Sequence, residues 1–191
     1  MPCDRLSRMT ILPAKMNRLI GRAFADYDMI SDGDRILIAV SGGIDSLVLS
    51  WLLPFWQLKA PISFWLQAAA QFQCNRIAFG HHSEDLLETF FLNLCYSGNI
   101  STMLPRQDLF EGKLSIIRPM VYLEKSQIID LGQRLGIRPV RNPCRFSEQN
   151  KRHKIRQTLP VFYSMAPSVK ANMFAALANV RTDYLPKPVR K

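Results

Sequence analysis

The spacing of apolar residues divides the chain into short apolar runs and longer stretches with helical periodicity. From residue 12 to residue 29, apolar side chains recur every three or four positions, which is typical of an amphipathic helix. Two short runs, Arg35–Val40 and Arg76–Phe79, are apolar beyond their first residue, as in strands buried on both faces of a parallel sheet. The pattern also predicts helices at 46–51, 65–72, 86–95 and 127–135, strands at 115–117 and 137–140, and basic helices at the C-terminal end.

The predicted strands and helices alternate along the chain. This order predicts an α/β fold, in which a parallel sheet is flanked by helices. We expect one compact domain with an N-terminal helical segment at 1–30, the α/β part at 31–160 and a basic helical segment at 161–191. Open sheets of this kind bind ligands at the carboxyl ends of their strands, so the residues that follow each strand are the first candidates for a site.

Charge and composition indicate which kinds of molecule this protein binds. The chain has 191 residues, of which 48% are hydrophobic, and a formal net charge of +10. Excess positive charge favours a nucleic acid as partner, because basic side chains release counterions from phosphates, although an inert basic surface stays an alternative. No apolar run approaches the ~20 residues that span a bilayer. The charged N-terminus is unlike a signal peptide, so we expect a cytoplasmic protein without a membrane partner.

A glycine-rich segment, SGGIDS at residues 41–46, separates the first predicted strand from the following helix. Glycines let backbone N–H groups approach an anion closely, and a helix N-terminus adds partial positive charge. The segment lacks both the Gly-Lys-Ser/Thr of the Walker loop and the G-x-G-x-x-G of dinucleotide folds. It therefore indicates a phosphate site of another kind, with a tight turn and incidental serines as the alternative.

This segment resembles the S-G-G-x-D-S signature of the PP-loop ATP pyrophosphatases, and the preceding ILIAV resembles their first strand. The resemblance implies a Rossmann-like domain of the adenine nucleotide alpha-hydrolase type, which binds ATP and Mg²⁺, adenylates a substrate and releases pyrophosphate. It also implies a catalytic role for Asp45. The ATP-binding residues that it implies here are Ala39, Val40, Ser41, Gly42, Gly43, Asp45 and Ser46.

A second segment, GHHSED at residues 80–85, resembles the G-H-H/N-x-x-D motif of tRNA 2-thiocytidine synthetases and related tRNA thiolation enzymes. The resemblance implies that Gly80, His81 and His82 border the ATP and that Asp85 is an ATP-site or Mg²⁺ ligand. An acid that complements the helix dipole is the alternative for Asp85. Which histidine makes the contact stays open.

Two further segments resemble the same enzymes. In SIIRPM, Arg118 belongs to an Arg-Pro pair that lies near the nucleotide in the family, where it would offset phosphate charge in the transition state; a surface ion pair is the alternative. The stretch KRHKIRQTLP resembles a late basic segment of tRNA thiolation and lysidine-forming enzymes. The resemblance implies that Lys151, Arg152 and Arg156 contact tRNA or ATP phosphates, and a solvated basic helix face is the alternative.

The cysteines depart from the family pattern. Thiocytidine synthetases carry a C-x-x-C that holds an iron–sulfur cluster together with a third cysteine, whereas the four cysteines here contain no such pair. Cys144 stands where the third cysteine belongs, which implies a cluster ligand or a sulfur-handling thiolate, with an inert loop cysteine as the alternative. Whether the protein holds a [4Fe–4S] cluster stays open, since one thiolate alone cannot hold it. The segment between Trp51 and Arg76 is short for the family, and we hypothesise that a loop is missing near residues 64 and 65.

The interpretation that these segments favour is an ATP-dependent tRNA-modifying transferase. It would adenylate the C2 oxygen of a tRNA pyrimidine and replace that oxygen by sulfur from a persulfide carrier or sulfide. One alternative is a lysidine-type ligase, in which lysine attacks the activated cytidine and no cysteine is needed. Another is an ATP-binding module without catalysis. A homodimer is kept as an open expectation.

Overall fold

The structure, a computed structural model, describes residues 12–53, 73–140 and 151–186. The helices in these ranges are α1 (Ala14–Asp26), α2 (Ile44–Leu52), α3 (Ser83–Leu92), α4 (Lys125–Arg134), α5 (Lys151–Tyr163) and α6 (Val169–Ala176). The strands are β1 (Ile36–Ile38), β2 (Arg76–Ala78), β3 (Arg106–Leu109) and β4 (Leu114–Ile117). A π-helical turn, Asn93–Ser97, continues α3, and a 3₁₀ turn covers Thr182–Tyr184. None of the described helices combines the length and apolar character that crossing a membrane requires.

The sheet has the strand order β1-β2-β4-β3. Strands β1, β2 and β4 run parallel, which confirms the α/β interpretation, but β3 pairs antiparallel with β4 and makes the sheet mixed. The sequence reasoning missed β3 because its residues are mostly polar and partly exposed at the sheet edge. The strand predicted at 137–140 is not formed, and the Val140 N–H instead donates a hydrogen bond to the Gly42 carbonyl at 3.0 Å. The helix predicted at 65–72 lies outside the described residues.

The described residues fall into two compact units. The first contains the sheet, α1, α2, α4 and the first residues of α3 up to Asp85. The second contains the rest of α3 from Leu86, the π-helical turn, α5 and α6. The three-part division at residues 1–30, 31–160 and 161–191 remains a prediction.

The core of the first unit follows from the apolar strands. Every residue of β1 is buried, and so is every residue of β2. Each large aliphatic side chain buried this way contributes about 1.5–3 kcal/mol to stability. One cluster of this core contains Leu37, Ala39, Cys74, Ile77 and Leu114, with Phe79 packed against it. The second unit has its own cluster around Leu87, Ile155 and Leu159.

The strand register brings the carboxyl ends of β1, β2 and β4 to one edge of the sheet. Leu37 pairs with Ile77, and Ile77 pairs with Ile116. The ladder continues past the strand ends, since Ala39 N–H donates to the Ala78 carbonyl at 2.9 Å and Phe79 N–H donates to the Ile117 carbonyl at 3.0 Å. The segments that follow these three strands therefore start side by side.

Gly80 allows the end of β2 to lie against the beginning of α2. A Cβ atom added at Gly80 would stand 2.9 Å from the carbonyl carbon of Asp45 and 3.0 Å from the backbone nitrogen of Ser46. Backbone atoms of a helix turn cannot move aside as the end of a flexible side chain can. A residue without a side chain is thus required for this close approach.

We expect Gly80→Ala to lower the free energy of unfolding by about 1–3 kcal/mol, because overpacking forces the α2 backbone to shift. Gly43→Ala is the matched control, since its added methyl group would meet only Ser41 Oγ at 3.6 Å. Urea denaturation of both variants measures the difference. Equal stability of the two variants would contradict the proposed close packing.

Candidate active site

The loop at residues 41–46 is shaped by its own serines. The Ser41 N–H donates to Ser46 Oγ at 3.1 Å, and Ser46 Oγ donates to the Gly43 carbonyl at 2.9 Å. Gly42 has φ +82°, a conformation that favours glycine. Gly43 precedes α2 and gives no side-chain cap to the first helical turn, whose N–H groups have no carbonyl partner earlier in the helix. Such a loop suits an anion, and Ser46 orders the loop from within.

Asp45 is paired with a lysine that the sequence reasoning did not select. The Nζ of Lys125 lies 2.5 Å from Oδ1 and 2.6 Å from Oδ2 of Asp45. Lys125 is the first residue of α4 and lies seven residues after Arg118. The sequence feature that could have pointed to Lys125 is its position at the end of the segment that contains the Arg-Pro pair.

His82 lies buried among three carboxylates, with only 5% of its surface exposed. Its Nδ1 is 3.0 Å from Glu84 Oε2, and its Nε2 is 3.4 Å from Asp85 Oδ2 and 4.0 Å from Asp45 Oδ1. The Asp85 carboxylate also accepts the His82 backbone N–H at 2.9 Å. Asp85 and His82 therefore hold each other at the start of α3. Glu84 was missed by the sequence reasoning, and its signal was its place beside Asp85.

Arg118 and His81 form a second pair at the same edge. Arg118 Nε donates to His81 Nδ1 at 3.1 Å, and another guanidinium nitrogen donates to the Leu104 carbonyl. Because Nδ1 accepts this bond, the neutral imidazole of His81 carries its proton on Nε2. Arg118 is only 7% exposed, and this burial lowers its pKa, although a guanidinium keeps its charge in proteins. The two histidines thus have different partners.

These contacts assemble three distant segments of the chain into one polar edge. Residues 39–46 follow β1, residues 80–85 follow β2, and residues 118–125 follow β4. Backbone N–H groups and two cations can offset the negative charge of a phosphate chain. The carboxylates beside them are oxygen ligands of the kind that Mg²⁺ uses, together with phosphate oxygens.

The PP-loop domain family matches this chain over residues 63–161, just over half of its length. The chain belongs to the PP-loop domain family. The PP-loop fold is shared with the U34-tRNA thiolase NcsA from Methanococcus maripaludis, solved with its [4Fe-4S] cluster, with a TM-score of 0.65 at 12% sequence identity. That match covers 89% of this chain and 79% of the thiolase.

This PP-loop chain is similar to curated proteins named tRNA-cytidine(32) 2-sulfurtransferase. The protein from Syntrophotalea carbinolica is 27% identical over 248 positions, covering 95% of this chain and 93% of the relative. The protein from Sorangium cellulosum is 28% identical over 238 positions, covering 91% of this chain and 84% of the relative. Each alignment is longer than the 191-residue chain, because these relatives carry residues without a counterpart here. Whether that shortfall lies near residues 64 and 65 remains a prediction, since residues 54–72 are outside the described ranges.

The basic segment of this PP-loop protein lies in the second unit and is anchored by a buried acid. Glu88 is only 4% exposed and accepts two hydrogen bonds from Arg156, at 2.6 and 2.8 Å. Arg152 lies 3.6 Å from Glu88 and donates to Thr89 Oγ1 at 3.1 Å. The Nζ of Lys151 stands 4.8 Å from the centre of the Tyr96 ring. The tRNA contacts predicted for these three basic residues remain predictions.

The described residues of this PP-loop protein do not fit an iron–sulfur cluster. Cys74 is buried in the core before β2, at the sheet edge opposite the loop, and burial raises the pKa of its thiol. Cys95 is exposed on the π-helical turn of the second unit. Among the described residues, no group of three or more His, Cys, Asp or Glu side chains is arranged to hold a metal ion. Cys144 lies outside the described residues.

We expect Ser46→Ala to lower the free energy of unfolding by about 1–2 kcal/mol, because the Ser41 N–H and the Gly43 carbonyl lose their shared partner. Ser50→Ala is the matched control, since Ser50 Oγ donates only to the Leu47 carbonyl within the same helix. Urea denaturation of the two variants measures the difference. A Ser46→Ala variant as stable as Ser50→Ala would show that the hydroxyl does not order the loop.

Proposed function

We propose that this PP-loop protein uses ATP to activate a pyrimidine of tRNA and then replaces the C2 oxygen by sulfur. The observation that carries the proposal is the meeting of three segments at one sheet edge, each matching a motif of PP-loop enzymes. The alignments with tRNA-cytidine(32) 2-sulfurtransferases, which cover more than nine-tenths of this chain, support the choice of tRNA. The net charge of +10 supports it as well.

The residues at the edge fit the triphosphate of ATP. The N–H groups of residues 41–46 would hold the phosphates, and Arg118 would offset the charge that develops when pyrophosphate leaves. Asp85 would be the carboxylate ligand of Mg²⁺, which usually takes one or two protein carboxylates together with phosphate oxygens. Bound there, Mg²⁺ would supply additional positive charge for the departing phosphates.

The proposed chemistry has two displacement steps. In the first, the C2 oxygen of the pyrimidine forms a bond to the α-phosphorus of ATP while the bond to the β-phosphate oxygen breaks and pyrophosphate leaves. In the second, sulfur forms a bond to C2 while the C2–O bond breaks and AMP leaves. Hydrosulfide balances the second step without a redox change, whereas a persulfide carrier also needs two electrons from a thiol.

We assign the handling of sulfur to Cys144 and the contacts with the tRNA backbone to Lys151, Arg152 and Arg156. The two arginines keep part of their side chains exposed beside Glu88, at 38% for Arg152 and 59% for Arg156. Guanidinium groups that are oriented in this way suit phosphate oxygens. With tRNA as its substrate, the protein would work in the cytoplasm. Whether it forms a homodimer stays an open question.

The proposal predicts pyrophosphate release that needs ATP and Mg²⁺ and is stimulated by tRNA. Arg118→Met should lower this rate by about 10²-fold or more, because it removes a buried cation from the reacting phosphates. Arg138→Met is the control, since it removes an exposed arginine and should leave the rate unchanged. The assay measures pyrophosphate and, after digestion of the tRNA with sulfide present, thiolated nucleosides by mass spectrometry.

Each competing function has its own outcome in this assay. A mass increase of the tRNA by lysine rather than sulfur would identify a lysidine-type ligase. ATP binding without any tRNA-stimulated pyrophosphate release would indicate a module without catalysis. Pyrophosphate release that is equal in the presence and absence of tRNA would exclude tRNA as the acceptor.

Anaerobic purification followed by iron, sulfide and visible-absorption analysis tests the sulfur chemistry. Because Cys74 lies in the core and the sequence contains no C-x-x-C, we expect no stoichiometric cluster in the 191-residue chain. Cys74→Ala is a control that should leave the iron content unchanged. One oxygen-sensitive cluster per chain would overturn this expectation and would make Cys144 one of its ligands.

A further inference from the structure

We propose that Lys125 is a positioning residue that neutralises Asp45 and thereby lets the loop accept the triphosphate of ATP. The inference rests on the proposed function, because it assigns a role within the same ATP site. It starts from the contact of Lys125 Nζ with both carboxylate oxygens of Asp45, at 2.5 and 2.6 Å.

Asp45 poses an electrostatic difficulty for a phosphate site. Its carboxylate stands in the first turn of α2, where the backbone N–H groups would meet the phosphates. Like charges a few ångströms apart repel strongly at the low effective dielectric of a protein surface. Glu84 and Asp85 add two more carboxylates to the same edge. An unpaired Asp45 would therefore make the entrance to the loop repel a polyanion.

Several independent contacts place the Lys125 side chain beside Asp45. A capping box begins α4, in which the Glu124 N–H donates to Gln127 Oε1 at 2.9 Å. The backbone N–H of Lys125 donates to the Glu84 carboxylate, at 3.1 and 3.2 Å from its two oxygens. Gly132 lets α4 pack against α2, since an added Cβ would collide with the side chain of Ile44.

The pair is better suited to controlling charge than to holding the fold together. The Lys125 side chain is 36% exposed and that of Asp45 is 29% exposed. Water and salt screen ion pairs at such sites, so they contribute little to stability. Neutralising the Asp45 carboxylate changes the electrostatic potential at the loop, whether or not the ion pair stabilises the fold. We therefore expect the loss of Lys125 to act on nucleotide affinity more than on stability.

The first test compares ATP binding by Lys125→Met, Lys125→Arg and the wild-type chain. We expect Lys125→Met to weaken ATP binding by about 10-fold to 100-fold and Lys125→Arg by less than about 5-fold, because only the first removes the charge. Calorimetry with a non-hydrolysable ATP analogue gives Kd, and tRNA-stimulated pyrophosphate release gives KM and kcat. Lys125→Met should raise KM for ATP rather than lower kcat. Added Mg²⁺ should reduce this rise in KM by screening the Asp45 carboxylate.

A double variant tests whether Lys125 acts through Asp45. In the Lys125→Met background, Asp45→Asn removes the unpaired charge and should recover part of the lost affinity in the calorimetric assay. Lys113→Met is the control for net charge, since Lys113 lies exposed between β3 and β4. Circular dichroism and urea denaturation establish that every variant is folded, and Lys125→Gln replaces Lys125→Met if the latter does not fold.

The outcomes separate this inference from the proposed function. If the wild-type chain does not bind the ATP analogue, the proposed function fails and the inference fails with it. If the wild-type chain binds and Lys125→Met binds equally well, only the inference is overturned. Affinity that is lost in Lys125→Met but not recovered by Asp45→Asn also overturns it, because Lys125 would then not act through Asp45.

Discussion

The close approach of Gly80 to the first turn of α2 is the constraint on which the candidate site depends. Gly80 and Asp45, 35 residues apart along the chain, come together there backbone to backbone. This contact sets the distance between the loop at residues 41–46 and the histidines that follow β2. The parallel register of β1, β2 and β4 then adds the segment that contains Arg118 and Lys125. The site is a consequence of how three strand ends meet.

The charged and polar side chains at this edge already have partners within the protein. Lys125 contacts Asp45, Arg118 contacts His81, and His82 lies among carboxylates. A buried or half-buried charge costs free energy unless it has a partner, so each of these groups constrains its neighbour. A polyphosphate chain bound there, as proposed, would exchange some of these contacts. The protein thus already holds in place the polar network through which the proposed site would bind an anion.

The second unit shows the same principle in its basic helix. Glu88 is buried, and a carboxylate in that position needs cationic partners. Arg156 supplies two hydrogen bonds and Arg152 lies close by. Part of the basic sequence is thus explained by the packing of α5 against α3 within this unit. The exposed portions of the two arginines are the parts that the proposed contacts with a tRNA backbone would use.

The sequence alone determined the fold class and the presence of a glycine-rich loop after the first strand, because both depend on local patterns. Short apolar runs predict buried strands, and SGGIDS can be recognised without knowing its neighbours. Glycine at position 136 ends α4 with φ +65°, as its residue type predicts. These features are encoded within a few adjacent residues, which is why periodicity and motif spacing detect them.

Only the tertiary structure decided which side chains meet. Lys125 and Asp45 are eighty residues apart, and their contact follows from the packing of α4 on α2. The strand β3 forms because β4 offers it an antiparallel edge, and residues 137–140 form no strand because Val140 bonds to the loop instead. Charge pairs across the fold depend on distances of a few ångströms, and no pattern along a single chain carries those distances.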